Sequence, residues 1–228
     1  MLKKNKQSIK TVDTSSKAIL LQLPKNTITG TCEDFQKRYF NKTESGGALT
    51  PGGKTENSGG ITEWEIKIEP AKGQKITFPA IVKGNKVTPV AKLTFEPIIN
   101  LLYIKSYSLF WDNPDPSCKQ MYESFLDEVA IHEGRHVKDI TQIIQDYIKK
   151  YNQKTLTFSG YGDNIEKRKN DANSKGDNWI SNLHKEISKK VEDKNKIYHG
   201  TMEGSKIFDW TCPCSKVQTT VPVTDEEK

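Results

Sequence analysis

The chain lacks any apolar run that could cross a membrane, and it has only four cysteines and four histidines among its 228 residues. Its longest apolar stretch, around Ile98 to Tyr103, falls far short of the roughly 18 residues that a membrane-spanning helix needs. The composition also excludes a collagen, a coiled-coil rod and a disulfide-dense mini-protein. A chain of this length can bury a core of its own, in one large domain or two small ones.

The cysteines and the first residues bear on the cellular compartment. Four cysteines are compatible with two disulfides in an oxidising compartment, and a bridge between Cys212 and Cys214 would close a very tight ring. We therefore expect these two to pair with Cys32 or Cys118. Residues 1–17 are basic and polar and lack the apolar core of a signal peptide. The sequence leaves open a protein that stays inside the cell and one whose leader is not part of this chain.

The net charge of +6 permits acidic partners without requiring them. The lysines are spread along the whole chain and do not form one basic stripe with interleaved aromatic residues. We therefore expect a solvated, lysine-rich surface, no nucleic-acid partner and no membrane span. The sequence does not indicate an oligomeric state.

Alternation between apolar and polar residues dominates the first half of the chain. Ile61 to Glu69 and Lys86 to Glu96 each have an apolar and a charged face, which predicts half-buried strands. Gln74 to Val82 is expected to be a third strand, joined to the next by a hairpin turn at Gly84 and Asn85. Within the second stretch, Pro89 indicates an edge position or a bulge. These features predict a small, mostly antiparallel sheet, with a glycine-rich loop over residues 43–60 before it.

The second half has a helical period. Apolar residues and two histidines recur every three or four positions from Lys119 to Lys150, which predicts one long amphipathic helix. A polar loop is expected over residues 152–176, followed by a second helix from about Asp177 to Lys196. Earlier in the chain, Thr31 with Asp34 resembles a capping box, which predicts a short helix over residues 33–40.

The segment boundaries predict one α+β domain. We expect a flexible arm over residues 1–25, which contains a short apolar run at 18–23 that could be a first strand. The domain then covers residues 26–215, with a sheet half at 26–110 and a helical half at 119–210. A loose tail follows at 216–228.

One motif in the long helix has the residues of a catalytic metal site. His132, Glu133 and His136 form the pattern H-E-x-x-H, in which both histidines project from one side of a helix and can bind one metal ion. Glu133 is placed beside the metal without binding it, where it can take a proton from a zinc-activated water and pass it to a leaving amine. The alternative is a pair of core histidines without metal, but two unpaired histidines on an apolar face are costly to bury.

A zinc site of this kind needs a third protein ligand and keeps one position for water. Asp139 lies on the same helix and is better interpreted as a supporting or surface residue, because it is too far along to reach the same ion. Four candidates for the third ligand remain open from the residues alone. They are the two histidines and two carboxylates His184, His199, Glu166 and Glu186.

The chain resembles a group of bacterial proteins, formerly of unknown function, that are regarded as secreted zinc-dependent proteases. The resemblance covers about residues 26–210 and rests on the opening segment Asn26 to Phe35, on Thr62-Glu-Trp64, on the H-E-x-x-H that follows Trp111, and on a C-terminal motif. This last motif, T-x-H-G-x-x-Q-G in the group, is similar to His199-Gly-Thr-Met-Glu-Gly here, with Glu203 in place of glutamine. The resemblance implies His199 as the third ligand and export from the cell.

These observations lead to a prediction of a zincin-like metallopeptidase with a protein or peptide substrate. His132, His136 and His199 are expected to hold Zn²⁺, and Glu133 is expected to act as general base and then acid. The developing oxyanion needs a stabilising group, for which Tyr198, or alternatively Tyr161, is the candidate. The competing prediction is a zinc-stabilised binding module or a catalytically inactive relative.

Overall fold

The structure is a computed structural model that describes residues 20–28, 30–35, 52–56, 60–71 and 73–203. Within these residues the chain forms nine strands and two long helices, with residues 32–35 also helical. The strands are β1 (Leu20–Ile28), β2 (Gly52–Glu56), β3 (Gly60–Pro70), β4 (Lys75–Thr77), β5 (Ala80–Lys83), β6 (Lys86–Pro89), β7 (Ala91–Phe95), β8 (Pro97–Trp111) and β9 (Leu156–Gly160). The helices are α1 (Lys119–Tyr151) and α2 (Ile165–His199). The predicted α+β class is confirmed.

The main sheet has the strand order β1-β8-β3-β2. Strand β3 pairs antiparallel with both β2 and β8, whereas β1 runs parallel to β8, so this sheet is mixed and the expectation of a mostly antiparallel sheet holds for three of its four strands. The apolar face predicted for β3 is confirmed, since Trp64, Ile66 and Ile68 are buried. Two strands of this sheet were missed: β8, and β2 within the predicted loop, where Gly52 and Gly53 give no strand signal.

The two helices form an antiparallel pair under this sheet. Tyr147 near the end of α1 donates a hydrogen bond to Glu186 of α2, and His136 in the middle of α1 bonds to Asn195 further along α2. The main core lies between the sheet and both helices, and its buried members are Trp64, Ile66, Ile68, Ile99, Ile140, Ile143, Ile144, Tyr147, Leu183, Ile187 and Val191. The packing of these apolar stripes fixes the register in which α1 and α2 lie side by side.

The prediction for α1 is confirmed within one residue at its C-terminal end, but the predicted polar loop over 152–176 is wrong. That region contains β9 and the first turns of α2, which begins at Ile165 with the Asn164 side chain accepting a hydrogen bond from the Lys167 amide. The first turns of α2 lack the apolar periodicity of a packed helix because small residues make their contact with the second sheet. Ala172 is fully buried, and a Cβ on Gly176 would lie 2.7 Å from Leu93 Cδ2.

The stretch from Lys86 to Glu96 is two strands, and the predicted strand over 74–82 is also divided. The interruption falls at Val90, which is fully buried and whose amide donates to the Pro79 carbonyl at 3.0 Å, and the pairs on either side keep the same cross-strand register. Strands β4, β7 and β9 form a second sheet in that order, and this sheet packs on the first half of α2. Strands β5 and β6 pair only with each other within the described residues.

The predicted capping box is confirmed, because the Thr31 hydroxyl accepts from the Asp34 amide and the Asp34 carboxylate accepts from the Thr31 amide. The predicted helix that follows is described only as far as residue 35. Cys32 is disulfide-bonded and Cys118 is a buried thiol, while the other two cysteines lie outside the described residues. Among the residues that the structure describes, none of the helices combines the length and the apolar character that a membrane crossing requires.

We expect Gly160→Ala to destabilise the fold, because the new Cβ would overlap the backbone carbonyl oxygen of Arg168 at the junction of β9 and α2. Overpacking against backbone that cannot move aside costs about 1–3 kcal/mol, measurable as a lower midpoint of urea unfolding. Gly200→Ala is the matched control, since a Cβ there meets its nearest atoms at 3.4 Å, and φ is −78°. Equal midpoints for the two variants would contradict the proposed close contact.

Candidate metal centre

Three imidazole nitrogens meet where the middle of α1 passes the end of α2. His136 Nε2 lies 3.1 Å from His132 Nε2 and 3.1 Å from His199 Nε2, and the third side of this triangle measures 3.3 Å. The three residues form a group that can hold a metal ion. The structure therefore brings together the three histidines named from the sequence, two by their spacing and one by the family resemblance.

Local structure explains how the three side chains converge. His132 and His136 are four residues apart on α1 and so project from the same side of the helix. His199 is the last residue of α2, three residues beyond the predicted end of this helix at Lys196, and the antiparallel pairing of the helices brings it over this face. The Gly200 amide closes the helix by bonding to the Lys196 carbonyl.

A buried amide fixes the orientation of the central histidine. His136 is 2% exposed, and its Nδ1 lies 3.0 Å from Asn195 Oδ1. An amide oxygen only accepts hydrogen bonds, so Nδ1 carries the proton and Nε2 presents a lone pair to the other two histidines. Hydrogen bonds from residues that surround the ligands fix the tautomer and the orientation of a metal-binding imidazole.

The geometry of the triangle fits a small cation. Four tetrahedral ligands at 2.0–2.1 Å from zinc are separated by about 3.3–3.4 Å from one another. The observed nitrogen separations of 3.1–3.3 Å are close to this value. Hydrogen bonds among the rings cannot satisfy all three nitrogens, because His136 Nε2 has no proton to give. A cation bound by all three lone pairs satisfies them at once.

The surroundings keep the histidines neutral. Burial, and then repulsion from a charged His199, lower the pKa of His132 to about 4. Burial, together with His132 and His199, lowers the pKa of His136 to about 3, and burial also lowers the pKa of His199. Neutral imidazole is the form that binds metal, so the site is ready to bind one well below neutral pH.

Glu133 lies beside this group and is 1% exposed. Its Oε2 accepts a 2.5 Å hydrogen bond from the Thr62 hydroxyl, which in turn lies 3.0 Å from Ser106 Oγ in the neighbouring strand. The main sheet approaches α1 closely here, since a Cβ on Gly60 would overlap the Glu133 carboxylate. Burial raises the pKa of Glu133 to about 8, although the Thr62 hydrogen bond opposes the rise. The carboxyl group can thus accept and return a proton near neutral pH.

Tyr198 packs its ring against the two histidines of α1. Its ring centroid lies 5.1 Å from that of His132 and 5.3 Å from that of His136, and the Arg135 guanidinium lies 5.9 Å from it on another side. Burial, with the negative charge of Glu203 next, raises the pKa of the Tyr198 phenol, so the hydroxyl keeps its proton at physiological pH. A neutral phenol beside a metal site can donate a hydrogen bond.

The other candidates lie far from the triangle. His184 and Glu186 precede His199 by 15 and 13 residues on α2, which places them about 22 and 20 Å away along its axis. Glu166 is further still, and Glu186 binds the Tyr147 hydroxyl instead. The Tyr161 amide bonds to Asp171, about 42 Å along α2 from His199, so Tyr161 is excluded as an oxyanion stabiliser. Asp139 pairs with Arg135, and its side chain is 14% exposed.

Sequence reasoning missed two residues of the site. Asn195 follows Leu183, Ile187 and Val191 at intervals of four on the buried stripe of α2, and a polar residue on such a stripe was an available signal. Thr62 was noticed only as part of the family resemblance. Its contact with Glu133 joins residues 71 positions apart and follows from the sheet register, which the local pattern does not encode.

The comparisons with known proteins give no relative. No protein-family model, no curated protein and no solved structure matches the chain. The family resemblance noted above therefore stays an expectation.

We predict that Asn195→Ala lowers the affinity for Zn²⁺ or Co²⁺ by about 10–100-fold, because His136 loses the bond that orients it. Asn195→Asp should restore much of the affinity, since a carboxylate accepts the same hydrogen bond. Competition with a chromogenic chelator measures both variants, with the exposed Asn182→Ala on the same helix as the control. Unchanged affinity in Asn195→Ala would show that the bond does not position the ligand.

The pKa of Glu133 predicts a pH-dependent stability of the metal-free protein. A carboxyl group whose folded pKa is raised from 4.5 to about 8 ionises first in the unfolded chain, so stability is lost as the pH rises across that window. Glu133→Gln carries no charge and should melt at a higher temperature than the native protein at pH values above about 8, with little difference near pH 4.5. Protonation of the buried histidines destabilises the fold in the opposite direction, as the pH falls below 6.5. This effect is the same in both proteins. The exposed Glu123→Gln is the control, and a melting temperature unchanged by Glu133→Gln at high pH would refute the prediction.

Proposed function

We propose that this protein is a zinc-dependent metallopeptidase. The observation that carries the proposal is the set of three histidine nitrogens within 3.3 Å of one another, with a buried carboxyl group next in sequence to one of them. Three histidines leave one coordination position for water or substrate, which distinguishes catalytic from structural zinc sites. When bound, zinc supplies Lewis acidity that lowers the pKa of water and polarises a carbonyl group.

The residues of the chain supply the proton transfers and the positioning. Glu133 takes a proton from the attacking water and returns it to the leaving amine, since it is a buried carboxyl group next in sequence to a ligand. The hydrogen bond from Thr62 holds Oε2 of the Glu133 carboxylate in place. Tyr198 is the candidate donor to the oxyanion that develops on the scissile carbonyl.

The main sheet offers a place for an extended substrate. Among the strands that the structure describes, β2 lies at the edge of the main sheet next to β3, and Thr55 of β2 pairs with Thr62, the residue that contacts Glu133. A peptide that adds to the outer edge of β2 would have its backbone beside the metal centre, by the general logic of strand addition. This supports a protein or peptide as the substrate class.

We also propose that the protein acts outside the cytosol. The disulfide bond of Cys32 supports this assignment, because structural disulfides persist mainly in oxidising compartments.

The decisive experiment combines metal analysis with three variants. We expect about one zinc per native chain, loss of peptide hydrolysis with retained zinc in Glu133→Gln, and loss of zinc in His199→Ala. His184→Ala is the matched control, because this histidine lies on the same helix outside the triangle. Zinc retained by a native protein that hydrolyses no peptide would instead favour a zinc-stabilised binding module.

A further inference from the structure

The β5–β6 hairpin turns an apolar face outward. Val82 and Val87 lie directly opposite each other in the hairpin and are 64% and 60% exposed. The next pair on that face, Ala80 and Pro89, is also exposed, so the whole outer face is apolar. The opposite face, with Ile81 and Thr88, is partly buried. This is the reverse of an ordinary half-buried strand pair, which turns its polar side to water.

The exposed face continues a face that is buried further along the chain. The odd-numbered apolar residues run from β6 into β7, where they are buried in the second sheet. The cross-strand register is the same in the β4–β7 pairs and the β5–β6 pairs, so the hairpin is the end of this ladder that extends beyond the core. Phe78, just before β5, is likewise 50% exposed. Hence three of the large exposed apolar side chains fall within ten residues of one another.

The segment that contains this hairpin carries charge of a single sign. Residues 71–95 contain five lysines and no acidic residue. Lys83 and Lys86 are exposed and pair with each other across the end of the hairpin, on the face opposite to Val82 and Val87, with Gly84 at φ +57° in the turn between them. The hairpin therefore has an apolar face and, at its tip, two lysines whose long side chains can extend past the end of the strands.

We propose that the β5–β6 hairpin docks on an anionic lipid bilayer surface. The valine face and Phe78 would enter the boundary between headgroups and acyl chains, and the lysines would lie among the anionic headgroups. Interfacial anchoring depends on this combination of apolar area and positive charge. The proposal does not depend on the proposed hydrolysis.

The chemistry of the hairpin favours a bilayer over other partners. Its outward strand residues are aliphatic and offer no hydrogen bonds to bases, and Phe78 is a single ring, whereas a nucleic-acid groove stacks successive bases on several aromatic side chains. A bilayer interface accepts aliphatic side chains and lysines together without requiring a complementary shape. An acidic protein with an apolar groove is the other partner that this chemistry allows, and the experiment distinguishes it.

Docking at the hairpin would leave the metal centre accessible. The hairpin leads into Ala91, which pairs with Gly160, and Gly160 packs against α2 at Ala172. His199 lies 27 residues further along the same helix, about 40 Å away. A surface-bound molecule would thus hold its metal centre away from the hairpin end.

The test measures binding of the full chain to vesicles of phosphatidylcholine with about one-third phosphatidylglycerol, by flotation, against vesicles of phosphatidylcholine alone. We expect binding only to the anionic vesicles, weakened by salt. Val82→Thr with Val87→Thr keeps β-branched residues and should lower the partition coefficient about tenfold. Lys83→Gln with Lys86→Gln should lower it about fivefold for each lysine. Circular dichroism confirms that each variant is folded.

Matched controls make the outcomes unambiguous. Leu102→Thr removes an equally exposed apolar side chain from the main sheet, and Lys185→Gln with Lys189→Gln removes two exposed lysines from α2; neither should alter binding. The proposal is overturned if the anionic vesicles do not retain the native protein, or if the hairpin variants bind as well as the controls. Binding to polyglutamate without binding to vesicles would assign the face to an acidic protein instead. A native dimer that the valine variant dissociates would assign it to a second copy of the chain.

Discussion

The hydrogen bond between His136 and Asn195 is the interaction on which the candidate site depends. It joins the middle of α1 to the end of α2, and it is buried from competing water. Because this bond fixes both the tautomer and the orientation of His136, its Nε2 presents a lone pair and not a proton to the other two histidines. The bond exists only in the register that the apolar stripes of the two helices set, so packing in the core determines the ligand geometry.

That arrangement carries an electrostatic cost that a bound cation would relieve. Burial, and then the mutual repulsion of the charged rings, lowers the pKa values of His132 and His136 to about 4 and about 3. The group therefore presents neutral imidazoles at physiological pH. Protons then do not compete with a metal ion for these lone pairs.

Sequence periodicity predicted the elements whose packing is regular and failed where it is not. Helix α1 and strand β3 follow from apolar residues at intervals of four and two, and the capping box at Thr31 follows from local hydrogen bonding. The first turns of α2 pack through Ala172 and Gly176, which leave no apolar period to detect. Of the site, the spacing of His132 and His136 is local and was readable. The choice of His199 over His184 depends on the register of two helices, which no local pattern contains.

The environment of Glu133 bears on whether the site is catalytic or structural. Three histidines could hold a metal ion without any help from this side chain, and a glutamine in its place could accept the same hydrogen bond from Thr62. An ionisable group at 1% exposure lowers stability wherever it is charged, since burial raises its pKa to about 8. The sheet even approaches through Gly60, the one residue type without a side chain to obstruct the carboxylate. A structural site gains nothing from this cost, whereas a hydrolytic site needs a proton acceptor at this position. The placement of Glu133 therefore supports the proposal that the histidine triangle is an active site.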